Sequence, residues 1–173
     1  MAQLTPNHFE KAFENWLKDS QVQHVQVDQS KRAVFARSRV KGFDILIYPK
    51  RLGADVLIAE VKGRKYRGKG VENIGALPSW VTIDDVQGLE KWEEMFGKGY
   101  SGIFVFVYEL ARVDVDTGGK EVFQSDNRRY FALGVRLADY RKHMKMRSPR
   151  WQTVTLSAAD LRSCAVDLRT LLF

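Results

Sequence analysis

The stretch GFDILIYPKRLGADVLIAEVKGRK, residues 42–65, decides the fold. Two apolar runs, 43–48 and 56–62, flank the connection PKRLGAD, whose proline and glycine interrupt regular structure. The pattern predicts a β-hairpin. Yet the first run carries Asp44, and the second carries Glu60 and Lys62. Charges inside apolar strands are expensive to bury unless they are paired or bound to something. The most symmetric register around the turn pairs Tyr48 with Val56, and therefore Asp44 with Glu60. Directly opposed residues share a sheet face and lie close together. Lys62 falls on that face by strand parity, opposite Gly42, which leaves room for a ligand.

Two adjacent carboxylates repel each other, and one takes up a proton unless a cation holds them together. A divalent ion with oxygen ligands, Mg²⁺ foremost and Mn²⁺ as a substitute, resolves the conflict and also binds phosphate oxygens. Such an ion lowers the pKa of a bound water and neutralises charge in an in-line displacement, which suits phosphodiester hydrolysis. Lys62 would stabilise charge on a phosphate or orient the attacking water. The competing arrangement is purely structural: Asp44 and Lys62 as a cross-sheet ion pair, with Glu60 at a solvent-facing strand end. Three observations weigh against it. The register follows from the turn and not from the charges. Ile45, Leu46, Ile58, Ala59 and Val61 imply strands covered on both faces. A basic segment, GRKYRGKG (63–70), begins directly after Lys62, where a bound polyanion would need it.

That segment supplies Arg64, Lys65, Arg67 and Lys69 as candidate contacts to a nucleic-acid backbone, and a second basic run, RKHMKMRSPR, spans 141–150. Either run on its own could be a solvated loop. The whole chain of 173 residues carries a net charge of +7, a balance that favours polyanionic partners. At 45% hydrophobic and 12% aromatic residues it has the composition of a globular protein. Cys164 is the single cysteine, which excludes an internal disulfide and a cysteine-based metal cluster. That suits a reducing cytoplasm. No apolar run reaches the length of a membrane span, and MAQLTPNHFE lacks the layout of a signal peptide.

Outward from the hairpin, TPNHFEKAFENWLKDS predicts a helix with Thr5 as cap and Pro6 at the first helical position. Phe9, Ala12, Phe13, Trp16 and Leu17 share one face of it. Residues 22–27 predict a strand with a partner at AVFA (33–36), and 63–80 a long irregular segment. Thr82 and Asp85 have capping-box spacing at the start of a second helix that Gly97 would stop. Strands are predicted at 101–110, at RYFALGVRL and at WQTVTL, then a helix AADLRSCAVDLRTLLF capped by Ser157. The order indicates one α/β domain over 1–173 with a central mixed sheet flanked by helices, a core over 5–110 and a strand-and-helix extension over 111–173.

An Asp in one strand followed by Glu-x-Lys in the next, here Asp44 and Glu60-Val61-Lys62, resembles the PD-(D/E)xK nuclease superfamily, whose members include restriction enzymes and Holliday-junction resolvases. HFEKAFENWL resembles the opening of a bacterial family with a His-Tyr-Glu-x-x-Phe-Glu signature, with Phe9 in place of the Tyr. Phe43 occupies the position of the eponymous Pro. The resemblance covers residues 8–107 and implies a restriction-endonuclease-like core, a Mg²⁺-dependent endonuclease acting mostly on DNA, and in many members a homodimer. It also implies a further metal-site Glu from the first helix. Glu14 can pair with Lys18, whereas Glu10 has only the like-charged Glu14 at i+4, so Glu10 is the candidate. The alternatives are a non-catalytic nucleic-acid-binding protein on this fold, or a structural protein with ion-paired strand charges.

The remaining signals are weaker. His8 reads as a capping or packing residue, and His24 and His143 as isolated. Asp84 and Asp85 are accounted for by capping and the helix dipole. Gln87 projects away from Leu89 and Phe96, and Trp80, Trp92 and Trp151 read as core or rim aromatics.

Overall fold

The computed structural model describes residues 7–27, 40–70, 77–112 and 114–173. Its axis is β5 (Tyr100–Leu110), in which Ile103 to Tyr108 are all fully buried. Side chains alternate across the strand: Ile103, Val105 and Val107 enter one hydrophobic cluster, Phe104, Phe106 and Tyr108 the other. A strand buried on both faces needs layers on both sides, and it has them.

Strand β3 (Val56–Tyr66) lies parallel to β5 from Val56 opposite Tyr100 to Tyr66 opposite Leu110. On its other edge β2 (Ile45–Tyr48) runs antiparallel, with Ile45 opposite Ala59 and Ile47 opposite Leu57. This is the register expected from the turn. Strand β1 (Gln23–Gln26) completes that side. Beyond β5 lies β7 (Arg128–Arg136), flanked by β6 (Phe123–Ser125) and β10 (Val166–Asp167). The β6–β7 turn is made by Asp126 and Asn127 at φ 50 and 61, values that match the right-handed twist of a hairpin. Among the described residues the order is β1-β2-β3-β5-β7-β10, so the sheet draws on strands from both sides of residue 110.

Helix α1 (His8–Asp19) covers one face through Ala12, Phe13, Trp16 and Leu17, together with α5 (Leu168–Leu172). Its cap is Asn7, whose side chain accepts from the backbone N–H of Phe9 (2.8 Å) and Glu10 (3.2 Å); Thr5 and Pro6 lie outside the described residues, as does AVFA (33–36). Helix α2 (Ile83–Phe96) covers the other face, with the capping box of Thr82 and Asp85 formed and Gly97 at its end at φ 76. It is joined there by α3 (Leu137–His143), α4 (Ala158–Cys164) and a three-stranded sheet of β4 (Val81–Thr82), β9 (Thr153–Thr155) and β8 (Lys145–Ser148).

Two expectations are corrected. The irregular segment does not begin at Gly63, because pairing with β5 keeps β3 extended through Tyr66 and makes Arg64 and Lys65 strand residues. The final apolar run is not one helix. It breaks at Ala165, where Val166 and Asp167 pair with Gly134 and Leu133 of β7, and Asp167 then caps α5 by accepting from Arg169 N (2.8 Å).

Helix α1 docks on β3 where the latter has no side chain. A Cβ built on Gly63 would stand 2.1 Å from Cγ and Cδ2 of the Phe9 ring. Gly63→Ala should therefore destabilise the fold by about 1–3 kcal/mol in denaturant unfolding. The loss should shrink in a Phe9→Ala background, where the clashing ring is absent; an equal loss in both backgrounds would disprove this contact as the cause.

Candidate active site

Asp44 immediately precedes β2 and is fastened at both ends. Its backbone N–H donates to Ala59 O (3.0 Å), its carbonyl accepts from Val27 N (2.9 Å), and its Oδ2 accepts from Val61 N (2.8 Å). The hairpin thus places the carboxylate and also orients it. Asp44 and Glu60 are each only 6% exposed. The paired register ends at Ile45 opposite Ala59, and Asp44 stands just outside it as a bend bonded to that same Ala59; both buried acids act electrostatically on Lys41, so they share one neighbourhood at this end of the ladder.

Lys62 sits between two carboxylates, its Nζ 2.9 Å from Glu60 Oε1 and 2.9 Å from Asp85 Oδ2. Glu60 is therefore not the solvent-facing strand end of the purely structural arrangement; it is buried and is itself a partner of Lys62. Asp85 comes from the first turn of α2, and its side chain is almost wholly buried. It closes the capping box by accepting from Thr82 N (2.9 Å) and also pairs with Lys41. Burial lowers the Lys41 pKa from the ordinary ammonium value, and the like charge of Lys62 lowers it further. Glu60, Asp85, Lys41 and Lys62 form one connected ion-pair network here, and Asp44 and Asp84 act electrostatically on its Lys41 end.

In the sequence, capping and the helix dipole account for Asp85, and Lys41 has no role. The cap accounts for one side-chain oxygen of Asp85 and left its ion pairs unforeseen, because Lys62 and Lys41 lie on other elements. The adjacent acid Asp84 is exposed, and Gln87 lines an open cleft with Lys41, Asp84 and Lys91.

Among the described residues no three His, Cys, Asp or Glu side chains converge closely enough to hold a metal ion. Glu10 is buried on α1, the helix covering the opposite face from α2, and is not gathered with Asp44 and Glu60 into one three-ligand set. Glu14 makes the expected pair with Lys18 (2.9 Å). The two-carboxylate set still fits Mg²⁺, which is commonly held by one or two carboxylates and completes its shell with water and substrate phosphate.

The four basic candidates differ in surroundings. Arg64 shares the Lys62 face but is committed to the protein. Its guanidinium lies 4.0 Å from the Trp80 ring centroid and donates to the carbonyls of Gly63 (2.8 Å) and Trp80 (2.6 Å). Burial lowers its pKa from the ordinary guanidinium value. Lys65 is exposed on the opposite face, and Arg67 and Lys69 are exposed beyond the strand end. The Trp80 segment is anchored from below by Tyr108 OH donating to Pro78 O (2.8 Å) and Tyr140 OH to Ser79 O (2.7 Å); burial pushes both phenols well above their usual pKa.

The histidines are not isolated. His8 Nδ1 lies 3.1 Å from Tyr130 OH, His24 Nε2 3.7 Å from Glu14, and His143 Nδ1 3.3 Å from Asp160. Trp92 is a core aromatic whose indole N–H donates to Lys41 O (2.8 Å).

The chain is similar in structure to Hjc, a Holliday junction resolvase from the archaeal hyperthermophile Archaeoglobus fulgidus, with a TM-score of 0.55 and 12% sequence identity, covering 97% of this chain and 100% of that one. The fold is restriction-endonuclease-like: a central mixed sheet flanked by helices. No protein-family model matches the sequence, and a search of curated proteins finds no match. No helix among the described residues is long and apolar enough to cross a membrane.

Asp85→Asn removes the charge facing two ammonium groups while keeping the side-chain shape. It should destabilise the protein by about 3 kcal/mol in denaturant unfolding. Asp84→Asn, at an exposed position, should cost less than about 1 kcal/mol. Equal effects would mean that Asp85 contributes only to the helix terminus.

Proposed function

We propose that this chain is a divalent-metal-dependent nuclease that hydrolyses phosphodiester bonds in DNA. The observation that carries the reading is the pair of buried carboxylates Asp44 and Glu60 at one end of the β2–β3 ladder, with Lys62 bonded to Glu60. Asp44 and Glu60 would hold Mg²⁺, which supplies Lewis-acid stabilisation of the phosphate and a more acidic water. Lys62 would face the scissile phosphate or steady the attacking water, with Asp85 as the residue that positions its Nζ. Glu10 is retained as the supporting carboxylate on the strength of its burial on α1 and the family resemblance. Lys65, Arg67 and Lys69, all exposed, would contact phosphates without reading bases. Arg64 would act mainly by holding Trp80. The likeness in fold to a Holliday junction resolvase supports DNA as the polymer and places branched DNA among the substrates to try.

A second reading has its own observation. The contacts of Lys62 with Glu60 and Asp85 are those of a structural ion-pair network, which needs no metal. Divalent ions separate the two. A nuclease should gain thermal stability from Mg²⁺ or Mn²⁺, the gain should vanish in Asp44→Ala, and Lys62→Ala should slow metal-dependent cleavage of plasmid, linear, single-stranded or branched DNA by at least about a hundredfold. No cleavage and no metal-induced shift in the wild type would leave the structural reading standing. Glu10→Gln tests the third carboxylate: unaltered metal dependence of cleavage would remove it from the site.

A further inference from the structure

The second sheet ends in a hairpin that the nuclease reading does not use. Its strands are β8 and β9, and the stretch KMRSPRWQ (145–152) holds Lys145, Arg147 and Arg150 and no acidic residue. Two large apolar side chains stand out of it into solvent, Met146 at 53% and Trp151 at 67% exposure. Arg150 lies 5.2 Å from the Trp151 ring centroid. The tip is ordered by its own bonds: Trp151 N donates to Ser148 Oγ (3.3 Å), and the Gln152 side chain (2.7 Å) and backbone N–H (3.3 Å) both donate to Pro149 O. Gln152 adopts φ 48, and its carbonyl accepts from Ile83 N (2.9 Å) at the start of α2, the helix that carries Asp85. An aromatic held at a rigid tip loses little freedom on binding.

The hairpin is also continuous with the candidate site. Arg147 lies 5.1 Å from the Trp80 ring centroid, and Arg64, two residues beyond Lys62 on the same strand face, lies 4.0 Å from it. Arg64 donates to backbone carbonyls, which leave its charge unneutralised. Arg64 and Arg147 therefore flank one ring, Trp80, which connects the strand that carries Lys62 to the hairpin that carries Arg150 and Trp151. We propose that this hairpin is a second nucleic-acid contact that takes an unpaired strand, with Trp151 stacking on a base while Lys145, Arg147 and Arg150 hold the neighbouring phosphates. The unpaired form follows from the indole. A duplex buries its base faces against one another, whereas an unpaired base offers a face to an exposed ring set among cations. The proposal rests on the nucleic-acid reading above and narrows the substrate to DNA with an unpaired segment beside the cut.

The test is binding, measured in EDTA by fluorescence anisotropy with labelled oligo(dT) and with a blunt duplex of equal length. Trp151→Ala should weaken oligo(dT) binding about tenfold and duplex binding less than twofold, and Trp151→Phe should restore most of the loss. Oligo(dT) should quench indole emission in the wild type and quench it less in Trp151→Ala. Equal weakening of both ligands, or weakening of neither, overturns the proposal. Metal-dependent cleavage by the wild type is scored separately. If the wild type cuts DNA and Trp151→Ala binds oligo(dT) normally, the hairpin contact fails and the nuclease stands. If the wild type binds oligo(dT) through Trp151 but cuts nothing, the contact stands and catalysis fails. If it neither cuts nor binds, both fall.

Discussion

The ammonium of Lys62, lodged between Glu60 on its own strand and Asp85 at the head of α2, is the interaction on which the candidate site depends. It joins the sheet to the helix at a point where both charges are withdrawn from water. Desolvating such groups is costly, and the attraction between them compensates only when every partner is present. The consequence is mutual dependence. Asp85 cannot be altered without loosening the helix start, because one side chain serves Thr82 N, Lys41 and Lys62 together. Glu60 cannot be altered without leaving Lys62 with a single carboxylate. Orientation of Asp44 by Val61 N adds a backbone contribution that side-chain substitution elsewhere does not remove.

Around this point the layers have distinct duties. Helix α1 and the leucines of α5 seal one face, with Phe9 of α1 packing directly on the backbone at Gly63 and Leu168 of α5 on Gly134. The other face is closed by α2, α3, α4 and the small sheet, and it is this face that carries Lys62, Arg64 and the segment held by Tyr108 and Tyr140. The core is aromatic there, with Phe104, Phe106, Tyr108 and Phe131 in a row of ring contacts. Large, rigid side chains under the site give its charged groups a firm floor.

What could be read from the sequence was set by local rules. The register of β2 on β3 was legible because turn length and strand parity determine it. The α2 cap was legible because Thr82 and Asp85 are three residues apart, the spacing of a capping box. The extension of β3 through Arg64 and Lys65 was not, since it depends on the length of a partner strand far along the chain. The break at Ala165 was not legible either. Val166 and Asp167 continue an apolar helical pattern, and only pairing with β7 makes them a strand. The pairs of Asp85 with Lys62 and Lys41 come from three separate elements, and no spacing announces them.

The parallel ladder between β3 and β5 has a consequence for how the chain is made. Val56 pairs with Tyr100 and Tyr66 with Leu110, and all of α2 lies in between. The β2–β3 hairpin that carries Asp44 and Glu60 leaves the ribosome first, with one long apolar edge of β3 unpaired until β5 follows. Such an edge is a template for another strand, including that of a neighbouring nascent chain. Closing so distant a pair is also intrinsically slow. The cations that immediately follow Glu60, at Lys62, Arg64 and Lys65, lie along that open edge and repel an identical copy during the interval.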